Sequence, residues 1–134
     1  MVGAGPAGLV AAMQARRQGV AVRLLEADRP GGFLGTAWRV ENFPGFPRPL
    51  AGARIVRLLL RQAEVHGVEV ERERVGRIEP VPGGFRLAGR EASYGAEAVI
   101  LATGSRPRRL AVPGAAALEG ELLDGVRFVS MRLR

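Results

Sequence analysis

Apolar residues recur at helical spacing in two stretches of the chain, residues 6–18 and residues 50–66. A stripe of this kind predicts a helix that buries one of its faces. In the first stretch the stripe consists of Leu9, Ala12 and Met13. In the second it consists of Ala53, Val56, Leu59, Leu60 and Ala63. Arginines occupy the opposite side of the second helix, and we expect them to face solvent.

Short β-rich segments alternate with these helices. Residues 20–25 and 98–102 are typical of buried parallel strands. The other predicted strands cover residues 68–70, 74–78, 85–87 and, more weakly, 126–129. The resulting order is β-α-β-α, then a small β-meander, then a last strand. This order predicts an α/β fold with a parallel sheet and flanking helices, whose ligand would sit at the carboxyl ends of the strands.

The chain opens on the sequence GAGPAG at residues 3–8, which we call the glycine loop. In a dinucleotide-binding loop the first glycine permits a tight turn, the second lets the backbone approach a pyrophosphate, and the third lets helix and strand pack closely. Here a predicted helix follows the loop, and Glu26 ends the strand after that helix. An acid at this position can accept hydrogen bonds from the adenosine ribose, and its charge disfavours the 2′-phosphate of NADP. The alternative is a glycine-rich turn without a ligand.

Only Met1 and Val2 precede the glycine loop, although a buried strand normally leads into such a loop. That strand would lie in the middle of the sheet, between residues 20–25 and residues 98–102. Without it two central strands would keep unpaired backbone groups, at a cost of about 1–3 kcal/mol for each buried group. We therefore expect either that further residues precede the chain or that another segment, such as the C-terminal one, fills the gap.

Composition excludes several classes of function for the 134-residue chain. The net charge is +7, but the 20 basic residues are all arginine and are scattered, so we expect no nucleic-acid partner. The absence of cysteine excludes disulfides, cysteine-ligated metals and thiol catalysis, and with a single histidine we expect no metal site. No apolar run is long enough to cross a membrane and no signal peptide is visible, so the expected location is the cytoplasm, with no membrane partner.

Four stretches of the sequence carry a family resemblance. They are VGAGPAGL at residues 2–9, LLE at 24–26, a Gly-Gly pair at 31–32 followed by VENFPGFP at 40–47, and VILATGS at 99–105 with VPG at 112–114. Together they resemble the FAD-binding N-terminal part of thioredoxin reductases and related pyridine-nucleotide-dependent flavoproteins. The ENFPGFP segment is typical of the thioredoxin-reductase-like branch. The resemblance implies one partial, Rossmann-like FAD-binding domain over residues 1–134, which lacks most of the first strand and the C-terminal part.

The resemblance also implies cofactor contacts at particular positions. The FAD diphosphate would lie at Gly3, Gly5, Pro6, Ala7 and Gly8, and the adenosine ribose at Glu26 and Ala27. The ribitol and flavin would lie along Gly31, Gly32 and Asn42, and the adenine at the backbone of Val70. The chain would leave the sheet close to the cofactor at Ala102, Thr103 and Gly104. No catalytic residue is assigned, because the flavin itself carries the redox chemistry.

The activity that the resemblance implies is electron transfer from NADPH or NADH through FAD to a redox protein partner, and a homodimer is compatible with it. In the family a Cys-x-x-Cys motif follows a Gly-Val-Ser-Tyr-like stretch, whereas Val129 and Arg132 occupy the corresponding positions here. Disulfide reduction by the family's route is therefore excluded for this chain. The nicotinamide nucleotide is expected only through a segment that the chain does not contain. Two alternatives stay open: a non-catalytic dinucleotide-binding remnant or subunit, and a ferredoxin–NADP reductase-like enzyme, which the cysteine-free tail fits.

Overall fold

The computed structural model describes residues 1–105; the strand expected at residues 126–129 lies outside this range. In chain order the elements are α1 (Pro6–Arg17), β1 (Leu24–Glu26), a 3₁₀ helix (Gly32–Thr36), α2 (Gly52–Val65), β2 (Val70–Arg72), β3 (Val75–Val81), β4 (Gly84–Gly89) and β5 (Ser93–Ala96). The predicted α/β class is confirmed: a parallel sheet and two helices are joined to a small antiparallel sheet. None of the helices within residues 1–105 has the length and apolar character that a membrane span requires.

The start of the chain lies in the middle of the parallel sheet. β1 pairs with β2, with Glu26 opposite Arg72. Val2 forms parallel bridges to Leu25 of β1 on one side and to Leu101 on the other. Numbered along the chain, the segments are Val2, β1, β2 and Leu101, and across the sheet they lie in the order 3-2-1-4. This is the order in one half of a doubly wound dinucleotide-binding fold. Val2 thus lies where the first strand is expected, between β1 and residues 98–102. The buried strand predicted at residues 98–102 is not found: only Leu101 forms a bridge, and Ile100 and Leu101 are 45% and 65% exposed.

Backbone hydrogen bonds hold this short central segment on both sides. The Val2 N–H donates to the Ile100 carbonyl at 2.9 Å, and the Ala102 N–H donates to the Val2 carbonyl at 2.8 Å. On the other side the Gly3 N–H donates to the Leu25 carbonyl at 2.8 Å. These bonds pair the backbone groups at the carboxyl end of the sheet, where the glycine loop begins.

The core joins the inner faces of both helices to β1. Its buried members are Ala4, Leu9, Ala12, Met13, Leu24, Ile55, Leu59, Ala63 and Val68. The stripe predicted for α1 is confirmed. In α2 the inner face includes Ile55, whereas Ala53 is exposed. The reason is that α2 packs through Gly52 against the 3₁₀ helix, which turns the next position away from the core. Full burial of one side chain such as Leu9 contributes about 1.5–3 kcal/mol.

Both helices end in the same motif, and this motif shifts the strands that follow. Gly19 and Gly67 have left-handed φ angles of +79° and +67°. The next residue in each case, Val20 or Val68, donates its N–H back into the helix at 3.0 and 2.9 Å. Such left-handed glycines commonly end helices. The two valines therefore complete helix ends instead of opening strands, and β1 and β2 both begin later than the sequence pattern predicts.

The loop before α2 is also more ordered than the sequence indicates. Val40 and Leu50 exchange two backbone hydrogen bonds at 2.8 and 3.0 Å, which keeps Leu50 out of the helix. α2 therefore begins at Gly52 and not at residue 50. A Cβ added to Gly52 would lie 1.8 Å from the Leu34 carbonyl oxygen. Only glycine allows α2 to approach the 3₁₀ helix this closely.

The antiparallel sheet has the order β3-β4-β5. The two strands predicted at residues 74–78 and 85–87 are present but longer, because a tight turn with Gly83 at a φ of +79° lets β3 and β4 pair along most of their length. Leu87 of β4 lies opposite Ile78 on one side and Tyr94 on the other. The sequence pattern does not indicate β5, because its residues lack an apolar run.

Candidate functional site

The first and third glycines of the glycine loop are required by the protein itself. Gly3 has a φ of +100°, and a Cβ added to it would lie 2.3 Å from the Ala102 carbonyl oxygen. A Cβ on Gly8 would lie 1.8 Å from the Gly3 carbonyl oxygen. Side chains at these positions would collide with backbone that cannot easily move. The tight turn and the close packing of helix on strand therefore have the geometric causes that the motif predicts.

Gly5 is different, because nothing in the described protein requires a glycine there. Its φ of −70° and ψ of −179° are open to any residue. A Cβ added to Gly5 would meet no protein atom within 4 Å. This glycine is explained if the backbone must be approached closely by a molecule other than the protein.

The beginning of α1 offers backbone amides to an anion. No side chain caps the helix, and no acidic residue lies in its first turn. The first bond of the helical ladder runs from the Leu9 N–H to the Gly5 carbonyl at 3.0 Å. The amides of Ala7 and Gly8 precede this ladder, and Pro6 has no N–H to satisfy. Together with the helix dipole, this arrangement favours a negatively charged group.

The Glu26 carboxylate lies against the glycine loop, 22 residues away along the chain. The Ala4 N–H donates to its Oε2 atom at 2.7 Å, and the Asp28 N–H donates to its Oε1 atom at 2.9 Å. These bonds fix the carboxylate at the carboxyl end of β1. A carboxylate has about four acceptor positions, so about two remain for the hydroxyl groups of a ligand.

The glycine pair at residues 31–32 brings a second backbone segment to the loop. The Gly31 N–H donates to the Ala4 carbonyl at 2.8 Å, and both glycines have positive φ angles, +106° and +53°. A Cβ on Gly31 would lie 2.5 Å from Cγ1 of Val56, so packing on α2 requires glycine here. A Cβ on Gly32 would lie 3.6 Å from the Cα of Gly5. Gly32 and Gly5 therefore lie close together.

Ala102 completes this group from the other side of the sheet. Its carbonyl lies beside Gly3, and its Cβ would be 3.4 Å from a Cβ added to Gly8. Thr103 and Gly104 follow as exposed residues, and Gly104 has a φ of +69° with no atom of residues 1–105 within 4 Å of an added Cβ. Ala27 is half-buried next to Glu26. The structure thus gathers most of the predicted site residues at one edge of the parallel sheet.

Two of the predicted residues do not join this group. Val70 was expected to end a strand, but it opens β2, and the strand reaches its carboxyl edge two residues later at Arg72. Asn42 is exposed and lines an open depression of about 400 Å³ together with residues 43–47. Within residues 1–105, no hydrogen bond joins Asn42 to the glycine loop. The proposed contacts of Val70 and Asn42 with a cofactor stay predictions.

Glu73 lies next to this site, although it is not among the residues that the sequence pattern indicates. Its N–H donates to the Glu26 carbonyl at 2.9 Å, and its side chain is buried, with 3% of the residue exposed. Burial alone would raise the pKa of Glu73. The backbone N–H groups that it accepts outweigh this effect, and the pKa lies below its usual range; they belong to Arg90, Glu91, Ala92 and Arg74. In the sequence Glu73 stands in a run of alternating charges, which gives no signal that separates it from its exposed neighbours.

Comparisons with known proteins agree with this geometry. The family model described as pyridine nucleotide-disulphide oxidoreductase matches residues 1–130. The thioredoxin reductase of Rickettsia bellii is 33% identical over 114 residues, which are 84% of this chain and 37% of that protein. The solved thioredoxin reductase of Lactococcus lactis has a TM-score of 0.83 at 29% identity, over 89% of this chain and 39% of that one. That of T. acidophilum has a TM-score of 0.82 at 32% identity, with the same coverage of 89% and 39%. The chain thus spans less than half the length of these relatives.

Proposed function

Because the chain belongs to the pyridine nucleotide-disulphide oxidoreductase family, we propose that it is the FAD-binding portion of an oxidoreductase of thioredoxin reductase type. One observation carries the proposal. The backbone of Gly5 is accessible to a ligand on the side where a Cβ would lie, and the Glu26 carboxylate accepts a hydrogen bond from the neighbouring Ala4 N–H at 2.7 Å. Both lie at the carboxyl end of a 3-2-1-4 parallel sheet, which is where this type of fold binds dinucleotides.

In this proposal the FAD diphosphate lies against the glycine loop. The amides of Ala7 and Gly8 and the dipole of α1 stabilise its negative charge. Glu26 accepts hydrogen bonds from the ribose hydroxyls, and its charge disfavours a 2′-phosphate, so this site takes FAD in preference to NADP. The other proposed contacts are Gly3, Pro6, Ala27, Gly31, Gly32, Asn42, Ala102, Thr103 and Gly104.

The strand bounds change the proposed position of the adenine. Val70 lies two residues inside the sheet, so it is less suited to this contact than the sequence indicates. The backbone that leaves the carboxyl edge beside Glu26 begins at Glu73, whose N–H is bonded to the Glu26 carbonyl. Since the adenine is attached to the ribose, we place it nearer residues 73–75 than Val70.

Bound FAD supplies the redox chemistry, and the residues of this chain bind and orient it. For the whole protein we propose electron transfer from NADPH or NADH to a redox protein, because the relatives are named thioredoxin reductases. None of the 134 residues is a cysteine, so this chain does not itself provide a redox dithiol.

Binding of FAD to the full chain tests the proposal. The protein is incubated with excess FAD, passed through a desalting column and examined for retained flavin absorbance, and the dissociation constant is measured by flavin fluorescence. FMN is the matched control ligand, because it carries the same flavin without the adenosine that Glu26 would hold. We expect FAD to bind more tightly than FMN. A protein that stays colourless in excess FAD refutes the proposal and supports the non-catalytic remnant or subunit.

A second candidate, a ferredoxin–NADP reductase-like enzyme, is favoured by one observation, the absence of cysteine. Such an enzyme passes electrons from the flavin to an iron–sulfur protein and needs no dithiol. The test uses the FAD-loaded chain after chemical reduction, mixed with either oxidised ferredoxin or oxidised thioredoxin. Faster reoxidation of the flavin by ferredoxin supports this candidate, and no difference between the two acceptors speaks against it.

A further inference from the structure

Glu73 is the one charged residue that is fully buried within residues 1–105. Its carboxylate fills the turn between β4 and β5. The Arg90 N–H donates to Oε1 at 2.8 Å and the Ala92 N–H to Oε2 at 3.0 Å, and the Glu91 N–H reaches both oxygens at 3.3 and 3.1 Å. Successive amides that converge in this way form an anion-binding turn. Here the anion is a side chain of the protein itself.

Two further donors complete the surroundings of the carboxylate. The Arg74 N–H donates to Oε1 at 2.8 Å, and the Tyr94 hydroxyl donates to Oε2 at 3.3 Å. Burial and the neighbouring Glu73 charge raise the pKa of Tyr94, so its hydroxyl keeps the proton that it donates. The carboxylate therefore binds groups from β5, from the β4–β5 turn and from the segment between β2 and β3.

Gly89 provides the room that this carboxylate needs. A Cβ added to Gly89 would lie 2.5 Å from Cδ and 2.7 Å from Oε2 of Glu73. A Cβ on Gly89 would also lie 2.6 Å from the Ala92 carbonyl oxygen of the same turn. On the neighbouring strand β5, a Cβ added to Gly95 would have no atom of residues 1–105 within 4 Å. Only the substitution at Gly89 would therefore press on the turn and on the Glu73 carboxylate that the turn holds.

A continuous line of hydrogen bonds leads from this turn to the dinucleotide site. The Glu73 carboxylate holds the turn, and the Glu73 N–H donates to the Glu26 carbonyl at 2.9 Å. The Glu26 carboxylate in turn accepts the Ala4 N–H of the glycine loop at 2.7 Å. Glu73 thus connects the antiparallel sheet, through its carboxylate, to Glu26, the residue proposed to bind the ribose.

We propose that Glu73 is a positioning residue for the dinucleotide site. Its buried carboxylate fixes the β4–β5 turn against the end of β2, and its N–H, which donates to the Glu26 carbonyl, then keeps Glu26 in position beside the glycine loop. This inference rests on the proposed function, because it concerns how tightly the adenosine part of FAD is held. The Glu73 side chain acts through Glu26 and not through a contact with the cofactor, because its carboxylate oxygens accept hydrogen bonds from the surrounding turn.

Glu73→Gln is the most direct perturbation. A glutamine keeps the size of the side chain but has one acceptor oxygen, and its amide group donates where the turn also donates. Buried N–H groups would then lack an acceptor, which is unfavourable enough to displace the turn. The anchor of the Glu26 backbone is weakened as a result.

A double-mutant cycle separates positioning from a merely structural role. FAD dissociation constants are measured for the full chain and its Glu73→Gln, Glu26→Gln and doubly substituted variants, at a temperature where circular dichroism shows each to be folded. We expect Glu73→Gln to weaken FAD binding about tenfold in the wild-type background and less than about twofold in the Glu26→Gln background, because residues that act through one another are not additive. An unchanged dissociation constant for folded Glu73→Gln, or the same factor in both backgrounds, overturns the inference.

Gly89→Ala also tests whether the Glu73 carboxylate affects FAD binding, without a change of charge. It replaces Glu73→Gln if that variant does not fold. Its Cβ would displace the Glu73 carboxylate, so we expect several-fold weaker FAD binding with unchanged FMN binding. Gly95→Ala is the matched control and should leave both affinities unchanged. Equal FAD affinity of the two variants overturns the inference. If the wild-type chain does not bind FAD at all, the proposed function itself fails, whereas FAD binding with additive variants refutes the role of Glu73 alone.

Discussion

Replacement of Gly5 by alanine separates the requirements of the cofactor from those of the fold. The backbone angles of Gly5 suit alanine, and the new methyl group would have no atom of the described residues, 1–105, within 4 Å. If the diphosphate of FAD approaches this backbone, the same methyl group would occupy space that the ligand needs. Gly5→Ala is therefore expected to weaken FAD binding while the protein stays as stable as before.

The magnitudes follow from the surroundings of Gly5. Alanine reduces the entropy of the unfolded chain and stabilises the fold by about 0.4–1 kcal/mol at a compatible position. It is a poorer N-cap than glycine, which costs a similar amount, so the net change in unfolding free energy should stay within about 1 kcal/mol. A methyl group forced into a close-packed contact costs about 1–3 kcal/mol. This corresponds to a roughly 5- to 150-fold increase in the FAD dissociation constant.

Gly8→Ala is the matched comparison in the same loop. Its Cβ would lie 1.8 Å from the Gly3 carbonyl oxygen, which belongs to the central segment of the sheet. The expected cost is about 1–3 kcal/mol of stability, enough to lower the urea midpoint by roughly 1 M. Urea unfolding monitored by circular dichroism gives the stability, and flavin fluorescence titration gives the FAD affinity. Gly5→Ala should change the FAD affinity and leave the stability close to that of the wild type, whereas Gly8→Ala should lower the stability.

If Gly5→Ala binds FAD as tightly as the wild type, the open space beside Gly5 has no connection with the ligand, and the proposed place of the diphosphate is refuted. A large loss of stability in Gly5→Ala would also contradict it, because the fold would then require this glycine for a reason that the structure does not contain.

Three further predictions concern the packing and the buried charge. Leu9→Ala removes a side chain with 0% exposure and should lower the unfolding free energy by about 2–5 kcal/mol in urea titration; a loss below about 1 kcal/mol would contradict its place in the core. Gly31→Ala should destabilise the protein, because Gly31 has a φ of +106° and an added Cβ would collide with the Val56 side chain. Val56→Ala in the same protein should restore part of the lost stability, and no recovery would show that this contact is unimportant. The pKa of Glu73 lies below its usual range, because backbone hydrogen bonds outweigh the effect of burial. The contribution of Glu73 to stability is therefore complete above pH 4.5, the ordinary pKa of glutamate, and is lost as the pH falls through the lower pKa of the folded protein. Urea midpoints of the wild type and Glu73→Gln should therefore converge on acidification, and parallel curves would contradict this assignment.

The features that could be predicted from the sequence are those with a local cause. The glycine loop, α1 and Glu26 form a motif of fixed spacing, and each residue has a role that its immediate neighbours determine. The position of the first strand could also be predicted, because the topology of the parallel sheet leaves one place for it, and the bridges of Val2 to both neighbours confirm that place.

The features that could not be predicted depend on contacts between distant residues. Val68 has the composition of a strand residue, yet the left-handed conformation of Gly67 turns its N–H back to the helix, and β2 shifts towards its C-terminal side as a result. Glu73 is identical in type to its half-buried neighbour Glu71. Only the turn 17 to 19 residues further along the chain, which supplies the amides, makes Glu73 a buried residue. A pattern of single residues carries no information about such pairing.

The geometry of the site depends on the carboxyl end of the central strand. A dinucleotide lies at the carboxyl ends of the strands, so only the last rungs of the central strand determine the geometry around it. Val2 and Gly3 supply these rungs, with bonds of 2.9 and 2.8 Å to opposite neighbours. A slip of one residue would turn each side chain to the other face of the sheet and would move Gly3 away from Ala102. The close contact of Gly3 with the Ala102 carbonyl therefore fixes the register, and the register in turn brings the Ala4 N–H to the Glu26 carboxylate.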